Sequence, residues 1–124
     1  MSIAIPVSIG ELVDKYTILL IKRDKILDTQ KLHHVSVEIN LLQPILGLIR
    51  VDENDISELK QCNEMLWKIE DAIREKERLN LFNDEFIQFA RSVYITNDRR
   101  SELKKEINIK YNSIIHEVKS YKQY

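Results

Sequence analysis

The chain carries one cysteine, two glycines and two prolines in 124 residues. A single thiol, Cys62, excludes an intramolecular disulfide and every CxxC-type metal or redox motif, and it fits a reducing, cytoplasmic setting. So little glycine and proline excludes a turn-rich β-sandwich. No glycine-rich phosphate loop, G-x-S-x-G elbow or HExxH is present either. His33 and His34 are adjacent and cannot share a helical face as two metal ligands at i and i+4 would, so neither a metal nor another cofactor is expected. Net charge is also missing: 19 basic and 20 acidic side chains leave −1, too weak a field to gather nucleic acid or an anionic membrane. The start, MSIAIPVSIG, has no basic leader, and no stretch reaches the ~18 apolar residues of a membrane span. A soluble, unexported protein is the expectation.

What is present is helical periodicity. With 44% hydrophobic and 31% charged residues, the length suits one all-α domain spanning residues 1–124. Ser8-Ile9-Gly10-Glu11 has the form of a capping box, so a first helix begins at Ile9. Its stripe, Ile9, Leu12, Val13, Tyr16, Leu19, Leu20, Arg23 and Leu27, runs to about Asp28, with the Arg23 stem laid along the core. Ile18 and Ile21 point away from that stripe, beside Asp14 and Lys25. They indicate either a second layer of helices or a subunit contact, a homodimer among the options. Thr29 to His34 reads as a polar connection. A second helix then buries Val35, Ile39, Leu42, Leu46 and Ile49 and kinks at Pro44.

Asp55 is a cap for a third helix that buries Leu59, Cys62, Leu66, Ile69 and Ile73 and carries a flanking line of Asn63, Trp67, Glu70, Arg74 and Glu77. Glu70 and Arg74 stand at i,i+4, a spacing that supports a helix by a few tenths of a kcal/mol. Leu79 to Phe82 forms a turn, Asn83 caps a fourth helix, and Phe82 is placed to staple against Ile87. The fourth helix ends near Lys110, and Ser113 caps a short fifth through Ile114, Ile115, Val118 and Tyr121. The pattern predicts an antiparallel helical bundle of four long helices plus a short C-terminal one.

The feature that points to a site lies in the fourth helix. Phe86, Phe89, Ala90 and Val93 form one apolar face whose next members are Asn97, Arg100 and Lys104, before Ile107 and Tyr111 restore it. A polar, basic band inside a core stripe must find partners. Glu70 and Glu77 across the turn are the expected ones, which places the cluster between the third and fourth helices. Two readings compete: an ion-pair network that fixes packing, or a pocket in which Arg91, Tyr94, Asn97, Arg100 and Lys104, with Glu70 and Arg74 beside them and Trp67 as a wall, hold a small anionic ligand. For the cluster itself the ion-pair network is the favoured reading, and for the protein as a whole a binding or interaction module is preferred. A small enzyme acting on a carboxylate or phosphate substrate and a structural subunit of a larger assembly are the alternatives. Asp14 and Glu117 are candidate acid–base groups, but lone carboxylates on amphipathic helices are usually solvated.

IPVSIGELVDK, LWKIEDAIR, FIQFARSVYITNDRR and HEVKSYKQY, in that order, resemble a family of small, mostly bacterial helical domains of unknown function. The likeness spans nearly the whole chain. It implies that Asp14, Lys15, Glu70, Asp71, Arg91, Tyr94, Asn97, Asp98 and Arg100 belong to the family pattern, and that members occur alone or attached to proteins of surface-polysaccharide assembly. The glycine common to the family near Tyr111-Asn112 is missing here. No activity comes with the resemblance.

Overall fold

Four side-chain caps set the helix starts in the computed structural model, which describes residues 1–124. Ser8 accepts from the Glu11 amide at 3.0 Å, Asp28 from Lys31 at 2.9 Å, Asp52 from Asn54 at 2.8 Å and Asn83 from Phe86 at 3.1 Å. They open α1 (Ile9–Lys25), α2 (Thr29–Ile49), α3 (Glu53–Arg78) and α4 (Asp84–Lys110), and there is no strand. No helix is long and apolar enough to cross a membrane.

Three boundaries differ from the sequence expectation, each because a cap lies elsewhere. Asp28 opens α2, so Thr29 to His34 is its first turns and not a connection, and α1 stops at Lys25. Asp52 rather than Asp55 opens α3, and Asp55 instead receives Lys110 Nζ at 2.8 Å and the Tyr111 hydroxyl at 2.6 Å. The fifth helix is absent. Its apolar residues Ile114, Val118 and Tyr121 meet nothing that would bury them, and a short helix without burial is not self-supporting. Ser113 accepts from the Ile9 amide at 3.1 Å and so ties the tail to the start of α1. α2 continues through Pro44, which faces outward, where its missing N–H is tolerated.

α1 packs against each of the other three helices and α3 against α4, whereas α2 lies on α1 alone. α4 returns along α3, with Lys76 meeting Glu85, Cys62 meeting Thr96 and Asp55 meeting Lys110. The main core joins Leu12 and Val13 of α1 to Leu46, Leu59, Cys62, Leu103 and Ile107; a smaller one joins Leu19 to Val35 and Ile39. α1 has 17 residues and α4 has 27, lengths of about 26 and 40 Å at the helical rise. α1 therefore cannot cover the far end of α4. There Phe86, Phe89 and Val93 are half-buried, Ala90 is exposed, and Phe82 packs edge-on against Phe86 at 5.2 Å. Arg23 and Leu27, expected on the core stripe, lie past the packed part of α1 and are exposed.

Candidate functional site

A second line on α1, Gly10, Asp14, Thr17 and Ile21, faces inward, and all four residues are buried. The spacing of four, three and four keeps them on one face. Gly10 allows the close approach of α4: a Cβ there would stand 2.5 Å from the Lys104 carbonyl oxygen. The Gly10 amide donates to Asn108 Oδ1 at 2.6 Å. With Ser113 on Ile9 and Ser8 on Glu11, every unpaired donor of the first turn has a side-chain acceptor.

One turn further in, the Asp14 side chain is 2% exposed. Its Oδ1 accepts from Arg100 Nε at 2.8 Å and from Asn63 Nδ2 at 2.9 Å, and its Oδ2 accepts from Arg100 Nη2. Asn63 also donates to Thr17 Oγ1 at 2.9 Å, and Thr17 donates to the Asp14 carbonyl at 2.8 Å. Lys104 Nζ lies 4.0 Å from Asp14 and 2.8 Å from both Glu11 and Glu117. No buried side-chain nitrogen or oxygen lacks a partner. The hydrogen bonds to Asp14 hold the Arg100 guanidinium above its usual pKa, against the pull of burial. For Lys104 burial opposes the charge, and the bonds from Glu11 and Glu117 outweigh it, so its pKa is raised. Hydrogen bonds from Lys104 and Lys119 hold Glu117 down at about 2. Burial pushes the Cys62 thiol up, despite Arg100 and Arg99 nearby.

Arg100 thus pairs with Asp14 of α1, and Lys104 with Glu11 and the tail; neither pairs with Glu70 or Glu77 of α3. The cluster lies between α1 and α4, with only Asn63 contributed by α3, and not between α3 and α4. Asp14, expected in solvent, is its centre. Two signals in the sequence pointed to it: a glycine one turn before Asp14, and Thr17 and Ile21 one and two turns after it.

Five of the eight expected binding residues border one cleft between α1, α3 and α4. It has a volume of about 380 Å³ and is lined by Trp67, Glu70, Arg74, Asn97 and Arg100, with Ile18, Leu66 and Asp71 around them. Arg74 has no carboxylate within ion-pair distance, so the expected pair with Glu70 does not form. Arg100 spends Nε and Nη2 on Asp14 and leaves Nη1 without a protein partner. The other three residues lie apart. Arg91 is exposed toward the hairpin end, Tyr94 meets the Tyr124 ring edge-on at 5.0 Å, and Lys104 opens on the opposite side of α4's polar band. Ile18 and Ile21 do not form an outward face: Ile21 is 2% exposed, and both border this cleft.

The sequence profile of a family of unknown function, DUF6165, matches residues 3–124. No curated protein and no solved structure matches the chain.

Proposed function

We propose a function for this chain from the premise that it belongs to DUF6165, a family of unknown function, so that the reading rests on the chain's own geometry. The protein is a helical binding module, and the cleft between α1, α3 and α4 receives a small anionic ligand. The observation that carries this is that Trp67 and two guanidinium side chains line one cleft, Arg74 without a carboxylate partner and Arg100 with one nitrogen unused. A fork of donors beside an aromatic wall suits a carboxylate or phosphate attached to a flat or apolar body. Glu70 and Asp71 at the rim oppose a large negative charge, which favours a ligand with one acidic end. The remaining titratable groups of the cleft are the exposed carboxylates Glu70 and Asp71, with no histidine, thiol or hydroxyl in the lining, so binding is better supported than turnover.

Trp67 is the sole tryptophan, so its fluorescence reports this cleft alone. Titration with dicarboxylates, sugar phosphates and nucleotide sugars should give a saturable change for one class, abolished in Arg74→Gln. A flat response across all three classes ends the reading. A second reading, a subunit of a larger assembly, is supported by the outer face of α2. Val37, Leu41, Ile45 and Leu48 stand exposed there in one line, at 47, 61, 43 and 84%. Light scattering at the monomer mass would remove the homodimer.

A further inference from the structure

The tail after Ser113 lies along α4, yet beyond Ile115, which is 40% exposed, it buries little that is apolar: Ile114, Val118 and Tyr121 are 98, 85 and 75% exposed. What holds it is polar. Glu117 reaches Lys104 Nζ at 2.8 Å and Lys119 at 2.7 Å, the Tyr124 hydroxyl donates to Asp98, and the Tyr124 ring meets Tyr94. Between the tail and the helices lies a cavity of about 280 Å³. Its roof is Glu117, Lys119 and Tyr121; its floor is Arg100, Ser101 and Lys104. The Lys104 side chain is 8% exposed and carries three donors, of which Glu11 and Glu117 fill two.

A nine-tenths-buried ammonium that receives one carboxylate from its helical neighbour and a second from a loosely held tail is an anion site with a built-in occupant. We infer that the cavity on Lys104 is a binding site for a small carboxylic acid, that Glu117 fills it in the free chain, and that the ligand carboxylate takes the place of Glu117 and lifts the tail. The cavity shares Asn97 and Arg100 with the Trp67 cleft but is centred on Lys104, which that cleft does not include. Three points support the exchange. The incoming group is chemically the same as the one displaced, so Lys104 keeps its two acceptors and no buried donor is left open. The tail has little apolar burial to lose on leaving, chiefly the Tyr124 ring on Tyr94, so the exchange is governed mainly by charge and by the tether. The tether is short, because Ser113 is fixed to Ile9 and Glu117 follows four residues later, and this gives Glu117 a high effective concentration. An internal competitor docked at least about nine-tenths of the time lowers apparent affinity for an external one at least about ten-fold.

The test uses the full chain, wild type and Glu117→Gln, with Glu106→Gln as a charge-matched control at an exposed residue outside the site. Backbone amide resonances of His116 to Tyr124 are followed by NMR while sodium acetate is added, against sodium chloride at equal ionic strength. In wild type, acetate should move the tail resonances toward their positions in Glu117→Gln, and chloride should not. Glu117→Gln should bind acetate at least about ten-fold more tightly than wild type, as read at the Lys104 and Ser101 amides. The control should behave as wild type. Equal effects of acetate and chloride, equal acetate affinity in wild type and Glu117→Gln, or a tail unmoved by Glu117→Gln would each overturn the inference. The Trp67 indole resonance, read in the same spectra, reports the other cleft independently.

Discussion

Arg100→Ala and Asp14→Asn remove the two ends of one ion pair, and the structure requires that they cost different amounts. Without Arg100, a carboxylate that is 2% exposed keeps only the Asn63 amide and an ammonium 4.0 Å away. Removing one partner of a buried pair costs about 3–5 kcal/mol. Arg100 is itself 30% exposed, and Asn63 and Lys104 remain, so about 2–4 kcal/mol is expected. Without the Asp14 charge, the guanidinium is left at a cleft open to water and can turn outward. Asp14→Asn should therefore cost about 1–2 kcal/mol, the loss of charge-assisted hydrogen bonds. The double variant leaves no stranded charge, so its cost should fall short of the sum of the single ones by at least about 1 kcal/mol. Urea unfolding followed by far-UV circular dichroism measures all three, provided the m-values agree. Additive costs, or Arg100→Ala milder than Asp14→Asn, would refute the claim that this carboxylate is buried and depends on Arg100.

The two glycines, both in helices, should respond in opposite directions. Gly10→Ala places a Cβ 2.5 Å from the Lys104 carbonyl oxygen, which is backbone and cannot swing aside, so it should lower the unfolding midpoint despite alanine's propensity gain of about 1 kcal/mol. Gly47→Ala meets nothing within 4 Å and should raise it. Equal shifts would deny the close contact of α1 with α4. The tail should also hold on well into acid. Glu117 has a folded pKa of about 2, below its ordinary value of 4.5, so its contribution is complete above the ordinary value and lost as pH falls through the folded one. Lys104 and Lys119 face it directly, Glu11 shares Lys104, and Arg100 and Asp98 border the same cavity. Amide spectra of the tail should stay as at neutral pH down to about pH 3.5; release centred on the ordinary glutamate pKa would contradict the pairing.

The helix stripes were legible because they are local. Leu59, Cys62 and Ile69 on α3, or Val35, Ile39 and Leu46 on α2, follow from spacing alone and are buried as expected. Ser8 and Asn83 were legible as caps for the same reason. At the start of α3 the spacing favoured Asp55, whereas Asp52 holds the cap and Asp55 is taken by Lys110 and Tyr111 from the far end of α4. The tail shows the opposite failure. Its residues have helical periodicity, but periodicity marks a face that needs burial, and no surface lies opposite Ile114 or Val118. The basic band was legible as a site region, yet its partners were not. Sequence distance from the turn between α3 and α4 put Glu70 near Arg100, while α1 brought Asp14 in from the other side, a contact that nothing in the α3–α4 spacing encodes.

The inward pairing of Arg100 has a physical consequence for the site. Had Arg100 paired with Glu70, its charge would have been consumed at the cleft mouth, with Asp14 left unpaired inside. Pairing inward with Asp14, which Asn63 holds in turn beside Thr17, fixes the guanidinium plane through two of its nitrogens. Nη1 stays free, and the same side chain borders both the Trp67 cleft and the cavity beneath the tail. A donor held so by a buried carboxylate loses little rotamer entropy when a ligand arrives, which is the advantage a fixed guanidinium has over a solvated lysine. It follows that Arg100→Lys should keep the ion pair with Asp14 while losing the fork. Such a variant should retain most of the stability that Arg100→Ala gives up, and it should bind any Trp67-cleft ligand as weakly as Arg100→Ala does.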